Sequence, residues 1–201
     1  MIKRTHKSHI LQVLRDNNTW EILDLGCGRF AWEEAQTLSD MVDHTDLYPE
    51  KRFVQSDAAN TPFDDKRFDF VIASHIAEHM HDLDKFLTEL SRIAKRGYIE
   101  VPLPLFDNFT YGNREEHVWW MNFDDVNMKL IAEPKAIAIQ ARIMPAELPM
   151  LEEFFRPSMA LELYWEDNIE WSIRERRIHD IMDLWPEPHS NYHKPEGSHS
   201  K

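Results

Sequence analysis

Apolar positions in this chain gather into short runs bounded by glycines and acids, the pattern of strands buried on both faces, with segments of helical spacing between them. Ile10, Leu11, Val13 and Leu14 predict a first helix ahead of Glu21-Ile22-Leu23-Asp24-Leu25, a first strand that runs into Gly26 and Gly28. The run Met41-Val42 leads through His44 and Thr45 to Asp46, Phe53 to Asp57 reads as a third strand, and Phe68 to Ser74 as a continuous central one. Leu83, Phe86, Leu87, Leu90, Ile93 and Ala94 share one helical face. Lys95 and Arg96 complement the end of that helix, Gly97 suits a left-handed cap, and Tyr98 to Val101 begins a fifth strand ended by Pro102.

This alternation predicts an α/β fold: a Rossmann-like doubly wound sheet, mostly parallel, with helices on both faces and an antiparallel C-terminal hairpin. After Pro102, the aromatic-rich run 117–123, a turn at Asp124-Asp125 and Asn127, and a return over 128–131 predict an inserted hairpin. Its place in the order of elements suits a lid and acceptor wall over the crevice. A helix is expected over 145–155, alternating strands over 161–165 and 169–173 around Asp167-Asn168, and a short helix over 178–184. The expected organisation is one domain over 1–185, with a cofactor-binding core (1–102), the insertion (103–135) and a C-terminal part (136–185). The tail 186–201, rich in His, Pro, Ser and Gly, has the composition of disorder.

The chemistry is expected where strands end. Two glycines after an apolar strand let the backbone approach a ligand closely, and Gly26-x-Gly28-x-x-Ala31 also fits the dinucleotide fingerprint. Asp24, two residues before that loop, would repel a pyrophosphate and attract a cation. S-adenosylmethionine, with an ammonium, a sulfonium, a ribose and no phosphate, therefore suits the loop better than NAD. Asp46 is placed to take both hydroxyls of its ribose.

Leu23-Asp24-Leu25-Gly26-Cys27-Gly28, Asp46-Leu47-Tyr48-Pro49, Ser56-Asp57-Ala58, Pro62-Phe63, Phe68-Asp69-Phe70-Val71, Ser74-His75 with Glu78-His79, and Arg96 to Pro102 follow one another as in a known family. In order and spacing they resemble the class I S-adenosylmethionine-dependent methyltransferases of the type 11 group, over residues 18 to 102. The resemblance implies Asp24, Gly26, Cys27, Gly28, Asp46, Leu47, Asp57, Ala58 and Ser74 as cofactor residues. Asp57 would accept from the adenine amino group, and the Ala58 amide would meet the ring. Phe30 stands where the family often has a third glycine, so a short following helix and a different exit from the cofactor are expected.

Methyl transfer by in-line attack on the sulfonium methyl asks the protein to orient, to exclude water and, for a protonated acceptor, to remove one proton. His75 and His117 are the candidate bases, although each also suits a local hydrogen-bonding or packing role. Phe109, Tyr111, Trp119 and Trp120 can form an aromatic acceptor wall or the hairpin core. His75-x-x-Glu78-His79 matches the inverted zinc-peptidase signature, but its position at the end of a buried strand argues against a peptidase, and no metal is expected.

Composition narrows the partners. A net charge of −13, from 36 acids and 23 bases, disfavours a nucleic-acid substrate, and Arg174-x-Arg176-Arg177 reads as a solvated face. A lone cysteine excludes an intrachain disulfide. No run reaches the length of a membrane span and Met1-Ile2-Lys3-Arg4 lacks a signal-peptide core, so a cytoplasmic protein acting on a small-molecule acceptor is expected. Two other readings stand beside it: a nicotinamide oxidoreductase, and a methyltransferase-like fold that binds a partner without turnover. Neither the acceptor atom nor the oligomeric state is written in the residues.

Overall fold

The computed structural model describes residues 1–104, 106–107, 116–135 and 155–175. The strands are β1 (Ile2–Arg4), β2 (Ile22–Leu25), β3 (Thr37–Asp40), β4 (Arg52–Gln55), β5 (Phe70–Ser74), β6 (Arg96–Pro102), β7 (Trp119–Asp124), β8 (Lys129–Pro134), β9 (Ala160–Glu166) and β10 (Trp171–Ile173). Among the described residues the α-helices with defined bounds are α1 (Lys7–Asp16) and α2 (Leu83–Ile93), and residues 104, 106–107 and 155–159 are also helical. Seven strands form the main sheet in the order β1-β9-β6-β5-β2-β3-β4. From β6 to β4 all pairings are parallel, whereas β9 runs antiparallel to β6 and β1 antiparallel to β9. The chain winds outward from β2 to β4, then restarts at β5 on the other side of β2. Between β2 and β5 lies the switch point at which open α/β sheets hold ligands.

Alternation along the strands sorts the core into two faces. Leu23, Leu25, Val71, Ala73, Ile99 and Val101 cluster with Leu83, Phe86, Leu87, Leu90 and Ile93 of α2. Ile22, Leu38, Phe70, Ile72 and Tyr98 cluster with Ile10 and Leu14 of α1. Each helix has an N-terminal side-chain cap: His6 accepts from the Ser8 amide, and Asp82 from the Lys85 amide. Among the described residues no helix is long and apolar enough to cross a membrane.

Several boundaries differ from the sequence reading. The second strand is Thr37–Asp40, ahead of the apolar pair Met41-Val42, which is 66% and 58% exposed. Thr37 and Ser39 are buried in this strand, and the Ser39 hydroxyl pairs with that of Ser56 at 2.7 Å, so polar side chains occupy positions where apolar ones are expected. Residues 26–36, between β2 and β3, form turns in place of the expected short helix. Gly97 is not a left-handed cap: α2 ends at Ile93 with Ala94 extended, and Gly97 lies inside β6. A Cβ on it would stand 2.5 Å from the Val71 carbonyl oxygen and 2.8 Å from Trp165 Nε1, so close strand packing accounts for that glycine.

The inserted hairpin forms where expected. β7 and β8 pair antiparallel, and the Asp124 carboxylate accepts the Val126 and Asn127 amides across the turn. The antiparallel C-terminal element is β9, and the chain turns after it on one bridge, Glu166 to Asn168. Its second limb, β10, then pairs parallel with β8, making a three-stranded sheet with the insertion, while β1 takes the place beside β9. Of the helix expected at 145–155 only Phe155 is described, within the helical residues 155–159; the helix expected at 178–184, the tail 186–201, and Phe109, Tyr111, Arg176 and Arg177 lie outside the described residues.

Candidate functional site

A cleft of about 610 Å³ opens at the carboxyl ends of β2 to β5. Gly26, Gly28, Asp40, Asp57, Ala58 and His75 border it, together with Ile76, His79, Met80 and Lys85. The glycine loop folds back on β3, with the Gly26 and Cys27 amides both donating to the Ser39 carbonyl, at 2.7 and 3.2 Å. Both glycines have positive φ, +75° at Gly26 and +52° at Gly28. A Cβ on Gly26 would lie 2.3 Å from Ile76 Cδ1, whereas one on Gly28 meets nothing within 4 Å. Gly26 thus lets the chain pack against Ile76, and Gly28 presents bare backbone to open space. Phe30 is 93% exposed and leaves the elbow free.

Gly26→Ala is therefore expected to destabilise the fold by roughly 2–4 kcal/mol, combining left-handed strain with overpacking against Ile76. Urea unfolding measures it. A loss below about 1 kcal/mol contradicts this packing.

The acids divide sharply. Asp40, at the tip of β3, accepts the Gly28 amide through Oδ2 at 3.0 Å and the Val42 amide through Oδ1 at 2.9 Å, and borders the cleft. Asp46 and Leu47 sit on the short 3-10 turn Thr45–Leu47, where no residue is buried, and neither borders the cleft. The strand ends earlier than its apolar residues suggested, so the carboxylate at its tip is Asp40. Only Leu38 is apolar in Thr37–Asp40, which hid it. Asp57 borders the cleft beside Ala58 and accepts the Ala59 amide at 2.8 Å. Ser74, half-buried at the end of β5, is not among the bordering residues.

Asp24 is 2% exposed beneath the loop, and does not border the cleft. Burial pushes its pKa up to about 7, although the Trp32 amide donates to it at 2.8 Å and Lys51 and Lys7 favour its charge. Burial likewise pushes the Cys27 thiol up to about 12, with Asp24 and Asp40 adding to it. Cys27 packs among Ile10, Ile22 and Trp32, so it is an inert filler of the loop.

His75, at φ +54°, lies at the cleft with Nε2 3.1 Å from Glu100 Oε1 and Nδ1 3.4 Å from Glu78 Oε1. Desolvation opposes its charge, but the two carboxylates prevail and hold its pKa up at about 9. It is an imidazolium at neutral pH and has no free lone pair with which to take a proton. His117 is buried at the entrance to β7, with Nδ1 bonded to Asp107. Trp119 donates its indole N–H to the Met80 carbonyl and Trp120 donates its own to Asp107, so both are tied into the protein. Residues 75–79 are a bend and the 3-10 turn Ala77–His79, without the α-helix that the zinc-peptidase signature requires. The groups that sequence spacing passed over are Asp40 and a buried set formed by Tyr98, Glu100, Arg156 and Glu162.

Residues 23–99 match the family model described as Methyltransferase domain. A chloroplastic tocopherol O-methyltransferase of Arabidopsis thaliana is 30% identical over 96 residues, 38% of this chain and 28% of the relative. The chain thus spans just over a quarter of that curated relative's length. Among solved structures, YcgJ protein from Bacillus subtilis is similar at 21% identity and TM-score 0.41, over 49% of this chain and 52% of its own. PH0226 protein from Pyrococcus horikoshii OT3 is similar at 14% identity and TM-score 0.45, over 79% and 88%. By the match over residues 23–99, that segment is a class I S-adenosylmethionine-dependent methyltransferase domain. It belongs to the type 11 group.

Proposed function

We propose that the chain transfers a methyl group from S-adenosylmethionine to a small-molecule acceptor in the cleft at the switch point. The observation that carries this reading is the juxtaposition of bare Gly28 with two carboxylates, Asp40 and Asp57, at the tips of successive strands. Asp40 would take the ribose hydroxyls, and Asp57 with the Ala58 amide would take the adenine edge. The His75 imidazolium and Lys85 border the same cleft and offer charge to the cofactor's carboxylate. Asp24, Gly26 and Cys27 act from beneath, shaping the loop. The cofactor, when bound, supplies the electrophilic methyl group, and these residues hold its adenosyl part so that the acceptor meets the sulfonium in line.

Calorimetry and thermal unfolding with S-adenosylhomocysteine test the reading. At 100 times its dissociation constant the ligand should add about 2.7 kcal/mol of stability, and NADH should add none. Asp40→Ala removes hydrogen bonds to a charged group and should weaken binding roughly 10- to 100-fold. Stabilisation by NADH alone, or an unchanged affinity in the variant, contradicts the assignment.

One observation favours a second reading, a fold that binds the cofactor without turning it over. No helix follows the glycine loop, so no helix N-terminus faces the cleft from residues 26–36. Tight product-analogue binding with no transfer across a broad acceptor panel would support it.

A further inference from the structure

Glu78, His79 and His117 converge where the loop after β5 meets the inserted hairpin, and each can offer a ligand atom within 4.8 Å of the other two. Glu78 is 1% exposed, and neither of its carboxylate oxygens has a hydrogen-bond partner. The Nδ1 of His75, 3.4 Å away, is an ion-pair neighbour beyond good hydrogen-bonding distance. The His75 imidazolium supplies charge on one side, but a buried carboxylate without a hydrogen-bond donor on either oxygen still favours a cation that coordinates it directly.

The two imidazoles are already oriented. His117 Nδ1 is bonded to the Asp107 carboxylate and His79 Nδ1 to the Glu116 carbonyl, which leaves Nε2 of each ring as the ligand nitrogen. Asp107 is fixed in turn by Lys135 Nζ at 2.8 Å and Trp120 Nε1 at 3.1 Å. An oxygen acceptor behind each imidazole is the arrangement that metal-bound histidines require. The hairpin is locked to the same loop by the Val118 amide on the Glu78 carbonyl and the Trp119 indole on the Met80 carbonyl, at 2.8 and 2.6 Å. The rings of His79 and His117 meet edge to face with centroids 4.6 Å apart.

We propose that Glu78, His79 and His117 bind one divalent transition-metal ion, zinc by preference, with a coordination position open toward the cleft that His79 borders. Two imidazole nitrogens and one carboxylate are the donors of zinc-type sites, whereas calcium and magnesium ask for oxygen throughout. Three protein ligands leave the fourth position to water or to an oxygen of a bound small molecule. The ion also joins the insertion to the sheet, because His117 lies at the root of β7 and Glu78 and His79 follow β5. This proposal stands independently of methyl transfer.

The test uses the full chain, stripped with a chelator and titrated with zinc chloride alone against a chromophoric competitor. One tightly bound zinc per chain and a higher unfolding temperature are expected. Losing only the hydrogen-bond partner behind a ligand costs about 10- to 100-fold in affinity, which is the loss expected of Asp107→Asn. His117→Gln and Glu78→Gln remove a ligand outright and should each weaken binding by about 100-fold or more. His79 is only half-buried, so His79→Gln serves if the buried substitutions fail to fold. With 11 histidines in the chain, zinc held equally tightly by His79→Gln, or only weakly by the native protein, overturns the assignment.

Discussion

Asp24→Asn should be more stable than the native chain at pH 8 by about 4 kcal/mol, and nearly equal to it at pH 4. The Asp24 carboxyl is buried under the glycine loop, where desolvation raises its pKa from 3.8 to about 7. A carboxyl with a raised pKa binds its proton more tightly in the folded chain than in the unfolded one. Between those two values the folded state holds more protons, so stability falls as pH rises from about 4 to about 7 and stays level above it. Every tenfold gain in proton affinity corresponds to about 1.4 kcal/mol, which gives the magnitude. Asparagine keeps an oxygen for the Trp32 amide and carries no charge to desolvate. Urea unfolding of both proteins from pH 4 to pH 8 measures it, and parallel curves would show that Asp24 is solvated in the folded chain.

Arg156→Met should cost about 3–5 kcal/mol at neutral pH, the usual penalty for leaving one partner of a buried ion pair alone. Glu100 and Glu162 face each other directly across β6 and β9 and are 2% and 5% exposed. Like charges so placed repel. Arg156 resolves the conflict, with Nη2 2.6 Å from Glu100 and Nε 2.9 Å from Glu162, and the Tyr98 hydroxyl lies between both acids. Burial works against ionisation of Glu100, yet bonds from His75 and Tyr98 and the charges of His75 and Arg156 hold its pKa down at about 2. Its native contribution is therefore present above pH 4.5 and fades only as pH falls toward 2. Without the guanidinium Glu100 loses one of the charges that hold its pKa down, so the variant's deficit shrinks on acidification. Adding Glu162→Gln should recover most of the loss. A single-variant penalty under about 1 kcal/mol would mean that water, rather than Arg156, compensates the pair.

The strands β2 and β5 were legible because both faces are largely apolar, so Phe70 to Ala73 reads as an unbroken run and Ile22 to Leu25 as one interrupted by Asp24 alone. The hairpin was legible through Asp124, whose carboxylate forms the turn chemically. β3 was not, since Thr37 and Ser39 are polar by sequence and buried by structure. That misplacement carried the acidic strand tip from Asp40 to Asp46. Gly97 misled for a different reason: Lys95 and Arg96 before it imitate a helix end, whereas the glycine is required by Trp165, distant in sequence. β1, three residues long, is too short to show any period and exists because β9 offers it an edge. Glu78, His79 and His117 meet only through the docking of the insertion, which no local spacing encodes.

The pairing of β1 and β6 on opposite sides of β9 has a consequence for biosynthesis. Until residues 160–166 have left the ribosome, the nascent polypeptide presents a long buried-type ribbon, β6, with a row of unpaired amides and carbonyls along one side. Such a margin invites pairing with another molecule. Closure of the sheet, and of the small sheet through β10, thus waits on nearly the last described segment to emerge, and premature termination leaves a sticky intermediate in place of a smaller folded unit.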